Sequence, residues 1–205
     1  MARKHDERCR KCKNMVGEFL RHIYGEVSEQ YDLNLPADVE DYKDARFYKD
    51  LQKIHAALQD HRGFLQFTKA RRLPAVDCFV AEPGFIVEFD ESQHFTEPRK
   101  IALQEYPVAL RLGFPKDKWM DRCATLHKKD NDPPYRDEQR AWYDTLRDFG
   151  SVLRQIPLIR MRPDERVWCE LKVNNDADVE RFKHFVESRL HQWQGEQRTL
   201  GPACG

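Results

Sequence analysis

The chain has 205 residues, enough for one domain with a substantial core. Lysine plus arginine equal aspartate plus glutamate at 35 each, so the average charge gives no reason to expect a polyanion partner and any nucleic-acid surface must come from local clustering. A hydrophobic content of 40% with 12 Phe excludes disorder, which needs low hydrophobicity joined to a large net charge.

In chain order, the opening MARKHDERCRKC lacks the apolar run of a secretory leader, and no later run approaches the apolar length that spans a bilayer. The expected setting is cytoplasmic, without a membrane partner. From Met15 to Tyr24 the apolar positions Met15, Val16, Phe19, Leu20, Ile23 and Tyr24 close on one helical face, with Gly25 placed to stop the helix. After a polar turn around Asn34 and Pro36, a longer helix is expected over 38–61, where Phe47, Leu51, Ile54 and Leu58 recur at intervals of three and four. β-prone runs punctuated by Pro74 and Pro83-Gly84 then predict strands near 64–69, 75–81 and 85–90. The last, with Phe85, Ile86, Val87 and Phe89, is nearly continuous in apolar residues, as in a strand covered on both faces.

Prolines at 98, 107, 115, 133 and 134 make 96–134 read as an insertion with some helix. A helix is expected from about Tyr135 to Phe149, ended by Gly150, with SVLRQIPLIRM as a fourth strand and a last helix over 176–193. The order predicts one α/β domain over 1–205, a mixed sheet of four to five strands flanked by helices.

The stretch PAVDCFVAEPGFIVEFDESQHF places carboxylates on what reads as a β-hairpin. The Pro83-Gly84 turn folds the strand of Asp77 beside that of Glu88, and alternation points Glu88 and Asp90 to one face. Crowded carboxylates leave water only if a cation or a proton compensates them. Mg²⁺ or Mn²⁺ suits such a site, because a hard cation takes one or two carboxylates and keeps positions for water and a substrate phosphate. Taken singly, Asp77 can also cap a turn, Glu88 pair with an arginine and Asp90 end the strand.

At these residues the sequence resembles the PD-(D/E)xK nucleases of restriction-endonuclease-like fold, and more closely their small branch related to very-short-patch-repair (Vsr-like) endonucleases. That branch shows an Asp on one strand, a turn, then an apolar strand ending E-x-D-G-x-x-H. Here the text is Glu88-Phe89-Asp90-Glu91-Ser92-Gln93-His94, with Glu91 in place of the glycine. A later helix leading through a Gly into a strand with a V-L-R pattern is similar to RDEQRAWYDTLRDFGSVLRQIPLIR. The resemblance covers roughly 64–96 and 136–165. It implies a Mg²⁺-dependent endonuclease core acting on DNA in preference to RNA. Asp77 and Glu88 would be its metal ligands, with Asp90 and His94 assisting. It also implies an acid from the first helix, for which Glu18 is the candidate against a plain exposed glutamate. Duplex cutting with one site per chain would invite a homodimer. A catalytically inactive module for nucleic-acid binding or assembly is the alternative. Pro163-Asp164 with Glu170-Leu171-Lys172 matches the motif letter for letter, but the six positions from Asp164 to Glu170 barely allow a tight hairpin and ERVWCELKVNND is poorer in buried-strand character than FIVEFDE, so the match reads as coincidence.

His94 can accept a proton from water or contact phosphate, or it can cap a turn. The six cysteines, at 9, 12, 78, 123, 169 and 204, read in a reducing compartment as buried thiols or metal ligands. Cys9-x-x-Cys12 is half of a zinc site, for which Cys123 and His127 offer the other half; simple unpaired thiols are the competing reading. Cys78 and Cys169 are expected on buried strands and Cys204 in a loose tail. Basic residues cluster at 8–13, at 69–72 with Arg71 and Arg72, and at Arg99-Lys100. The last two clusters bracket the acidic hairpin and are candidate phosphate contacts, where solvated faces are the other reading. Trp119 and Trp142 are candidates for stacking on bases, Trp142 also for the core.

Overall fold

One four-stranded mixed sheet organises the molecule, its spatial order following the chain. The structure, a computed structural model, describes residues 8–195; the first seven residues and the C-terminal segment with Cys204 lie outside that range. Strands β1 (Val27–Tyr31), β2 (Val76–Val80) and β3 (Phe85–Phe89) form an antiparallel meander, and β4 (Leu158–Met161) lies parallel to β3. A parallel neighbour needs a crossover. Here that crossover contains α3 (Glu97–Gln104), α4 (Lys116–Leu126) and α5 (Arg136–Leu153).

Alternation along β3 and β4 splits the apolar residues between two cores. Ile86 and Leu158 pack with Leu51 and Ile54 of α2 (Tyr48–Arg62), with Leu103 and Trp119, and with Trp142 and Phe149 of α5. Phe85, Val87, Phe89, Ile159 and Met161 pack on the other face with Val16, Phe19 and Leu20 of α1 (Arg10–Tyr24) and Phe182 and Val186 of α6 (Asp176–Gln194). Phe19 stacks on Phe182 with ring centroids 4.9 Å apart. The outcome is an α/β sandwich of three layers, with both faces of β3 covered as its apolar run requires.

Several expectations are corrected by packing. Helix α1 begins at Arg10, five residues before the apolar stripe started. Residues 38–61 divide into a single 3-10 turn, Val39–Tyr42, and α2. β1 escaped the sequence reading because VSEQY buries only its ends partly, as befits an exposed edge strand. The strand expected at 64–69 does not form. Phe67 instead turns into the core against His55, and its carbonyl accepts a 2.9 Å hydrogen bond from Gln139, which satisfies the backbone without a sheet neighbour.

Gly150 does not end α5, which runs on to Leu153 and takes up Val152 and Leu153 of the expected fourth strand. The glycine is there for closeness, since a Cβ at this point would sit 2.6 Å from the side chain of Leu35. Residues 96–134 contribute α3, α4 and the buried Leu103, Phe114, Trp119 and Cys123 to the first core. Gly113 lies against the outer edge of β4 as an isolated bridge to Ile159, not as a fifth strand. The literal motif near 163–172 forms turns and a 3-10 turn, Trp168–Glu170, with no strand pair to carry it. Among the described residues, no helix is long and apolar enough to cross a membrane.

Candidate functional site

Continuing the β2–β3 register one pair beyond Cys78 and Val87 sets Asp77 opposite Glu88, so both carboxylates leave the same face of the sheet. They stand at the end of the hairpin away from its turn, where the two strands part. Oδ2 of Asp77 accepts a 2.9 Å hydrogen bond from the Phe89 amide, taking the place of a missing strand partner. Its Oδ1 faces Nζ of Lys13 at 2.5 Å. Glu88 is only 4% exposed. Burial pushes its carboxyl up to about 7; the arginine of Arg147 opposes that rise and the charge of Asp77 adds to it. Nε of Arg147 lies 3.3 Å from Oε1 of Glu88 without hydrogen-bonding geometry, and among the described residues neither atom has a hydrogen-bond partner. A buried carboxylate oxygen lacking a partner is costly and needs a physical explanation.

Lys13, not Glu18, is what α1 contributes. The buried face of that helix is Cys12, Val16, Phe19 and Leu20; Lys13 borders it, while Glu18 is exposed on the opposite side. Burial lowers the Lys13 ammonium, but the charge of Asp77 and the hydrogen bond to it outweigh burial and raise it, with Glu88 and Glu91 adding to the rise. Arg8 hydrogen-bonds to Gln93, so the basic cluster at 8–13 borders the mouth of this pair, with Arg10 and Lys11 exposed.

Asp90 belongs to a different arrangement, although it is only two residues beyond Glu88. Its Oδ2 accepts from the indole N–H of Trp119 at 2.7 Å, and its Oδ1 pairs with Arg160 at 2.8 Å. Arg160, on β4 in register with Glu88, also pairs with Asp148 at 2.8 Å and donates to the Asp144 carbonyl. Asp148 in turn binds Arg99 and Tyr106, each at 2.8 Å. Nδ1 of His94 lies 2.8 Å from Oδ2 of Asp144 and 3.8 Å from Asp90. Burial works against the imidazolium, yet Asp144 first and Asp90 after it raise its pKa; the carboxyl of Asp144 is pulled well below the usual range by His94 and Arg160 against the effect of burial.

Arg99, expected to contact phosphate, is therefore 1% exposed and spoken for by Asp148. Lys100 remains partly exposed beside Glu97. Arg71 and Arg72 are exposed, with Arg72 bonded to Asn34. Trp119 and Trp142 are fully buried and unavailable for stacking on bases. Asp144, Arg147, Asp148 and Arg160 were missed by the sequence reading. The available signal was Arg160 itself, a lone arginine in the apolar strand LIRM, which needs buried acids around it.

The zinc expectation is half corrected. Cys123 lies in the core of the first face and His127 is exposed at the end of α4, while Cys9 and Cys12 sit against the other face. Their companion is Cys169, in the Trp168–Glu170 turn: ligand atoms of Cys9, Cys12 and Cys169 all lie within 4.8 Å of one another. This cluster could hold a metal ion such as zinc. Burial, followed by the neighbouring thiol of Cys9, raises the Cys12 thiol.

Compared with protein-family models, curated proteins and solved structures, the chain matches none.

Proposed function

We propose that the chain is a metal-dependent endonuclease with a restriction-endonuclease-like core, hydrolysing phosphodiester bonds in DNA. The observation that carries this reading is the facing pair Asp77 and Glu88, with Oε1 of Glu88 buried and without a hydrogen-bond partner. That donor set fits Mg²⁺ or Mn²⁺: two hard carboxylates at a place where a buried acceptor oxygen lacks a hydrogen-bond donor. Bound there, the ion would supply an acidified water and neutralise charge developing on the phosphodiester. Further support comes from the antiparallel meander, the crossover through α5 to a parallel β4, and the E-x-D-x-x-x-H sequence that ends β3.

The residues of the chain divide the work. Asp77 and Glu88 would hold the metal, with Asp77 oriented by the Phe89 amide. The ammonium of Lys13 offers positive charge to a phosphate at the same mouth, and the exposed Arg10, Lys11, Arg71 and Arg72 offer sequence-independent backbone contacts. Asp90 acts through Arg160 and Trp119, not on metal, and His94 is oriented by Asp144. A duplex substrate cut on both strands would call for two copies of the chain.

A second reading has its own observation. Lys13 already compensates Asp77, and Arg147 stands beside Glu88, which suits a nuclease-like module that binds nucleic acid without turnover. The deciding experiment titrates Mg²⁺ and Mn²⁺ calorimetrically into wild type, Asp77→Asn and Glu88→Gln. It runs beside cleavage assays on single- and double-stranded DNA and RNA. The endonuclease reading expects metal-dependent cleavage that falls in both variants by on the order of 100-fold or more, at least what losing a supporting residue of a metal site costs. Nucleic-acid binding without cleavage at any metal concentration favours the second reading.

A further inference from the structure

Three thiols, two at the start of α1 and one in the turn after β4, meet at one point on the opposite side of the sheet from Glu88. Cys9 is the residue that opens α1, and Cys12 lies one turn later, so the two sulfurs project from the same side of the helix start. Cys12 is fully buried in the second core. Cys169 comes from the short turn that follows β4, a turn anchored by Trp168, whose indole donates to the Arg162 carbonyl at 2.7 Å and packs edge-on against Phe182 and Phe185.

We infer that Cys9, Cys12 and Cys169 form a structural zinc site that fastens the first turn of α1 to the Trp168–Glu170 turn. The geometry supports it. At a zinc–sulfur distance of ~2.3 Å, tetrahedral ligands stand ~3.8 Å apart, so sulfurs already within 4.8 Å need move by only about an ångström to close on one ion. A disulfide would join two of these sulfurs and leave the third outside the bond; a zinc ion uses all three. Binding releases the thiol protons to solvent, and the resulting thiolates lie at a helix N-terminus, where the backbone dipole favours negative charge. Among the described residues no fourth His, Cys, Asp or Glu joins the group, and a water would take the fourth position.

The site has a structural consequence that its neighbours make clear. Lys13 follows Cys12 directly and reaches Asp77, so the metal would hold in place the turn of helix that carries this lysine. The zinc site nevertheless stands independently of any chemistry at Asp77 and Glu88.

The test uses the full chain purified under reducing conditions. Metal content by plasma mass spectrometry should be one zinc per chain in wild type and in Cys123→Ser, and should fall at least tenfold in Cys169→Ser. Replacement by Co²⁺ should give sulfur-to-cobalt charge transfer and the intense visible bands of a tetrahedral site. Wild type without zinc after supplementation would overturn the inference. So would full zinc retention in a folded Cys169→Ser, or a Cys9–Cys12 disulfide in protein isolated without oxygen. If Cys169→Ser does not fold, the cobalt spectrum of wild type decides: a weak octahedral spectrum refutes the site and a thiolate tetrahedral one supports it.

Discussion

Two groups of buried acids lie side by side on one face of the sheet and are treated differently. Around Arg160, every carboxylate has a cation or donor: Asp90 has Arg160 and Trp119, Asp148 has Arg160, Arg99 and Tyr106, and Asp144 has His94 and Arg147. Two residues back along the chain from Asp90, Glu88 has an arginine nearby but an oxygen with no hydrogen bond, and Asp77 leans on a partly exposed lysine. The first group is closed and holds elements together. The second is incomplete, and an acceptor left without a donor at a strand end is what a cation-binding site would use.

The largest expected effect breaks the closed group. Arg160→Met leaves Asp90 and Asp148 buried with reduced compensation and should lower stability by about 3–5 kcal/mol in chemical denaturation. A loss under about 1 kcal/mol would mean that the network is hydrated and that the two groups do not differ as described.

Changing the open group should have the opposite sign. With its carboxyl raised from 4.5 to about 7, Glu88 keeps its proton in the folded chain while the unfolded chain releases it, so stability falls as pH rises between those values. Below that window both states hold the proton and nothing is lost; above it the cost levels off at about 3 kcal/mol. Glu88→Gln should therefore match wild type at low pH and be more stable by up to that amount above about pH 7. If Glu88 holds Mg²⁺ as proposed, apparent Mg²⁺ affinity of wild type should rise roughly tenfold per pH unit within the same window, because the metal would compete with one proton. A Glu88→Gln variant destabilised at all pH values would place Glu88 in the closed group.

The smallest effect concerns the rim of the network. The pKa of His94 is raised, so its contribution is full below the ordinary imidazole value of 6.5 and disappears as pH rises through the folded value; Asp144, lowered, contributes above 3.8 and loses its share as pH falls through its depressed value. His94→Gln should cost about 1.5 kcal/mol near pH 6, typical of a hydrogen bond to a charged group, with a smaller difference from wild type in alkaline solution. A pH-independent difference between the two denaturation curves would show that the imidazole does not change its charge over that range.

Much of the fold could be read from periodicity, and the exceptions are instructive. β2, β3, α1 and α6 carry clean apolar patterns because each buries a face against a core. β1 carries none, being an edge strand with a polar middle, and Phe67 misled because it is a plug and not part of a strand. Gly150 looked like a helix stop; only the approach of Leu35 explains it. In the site, alternation alone sets Glu88 and Asp90 on one face but cannot say which is free. That depends on Trp119, Arg160 and Asp148, which come from three other elements.

The sequence by itself determined that acids stand at the end of an apolar hairpin, that a sheet lies between helices, and that two cysteines stand at a C-x-x-C spacing. These are local matters of period and turn chemistry. Only the tertiary structure decided that Lys13 and not Glu18 meets Asp77, that Arg99 is buried, and that Cys169 and not Cys123 joins Cys9 and Cys12. Each of these pairings links residues far apart in the chain. Which partner a buried charge or thiol finds is set by how the elements cross, and no local pattern encodes it.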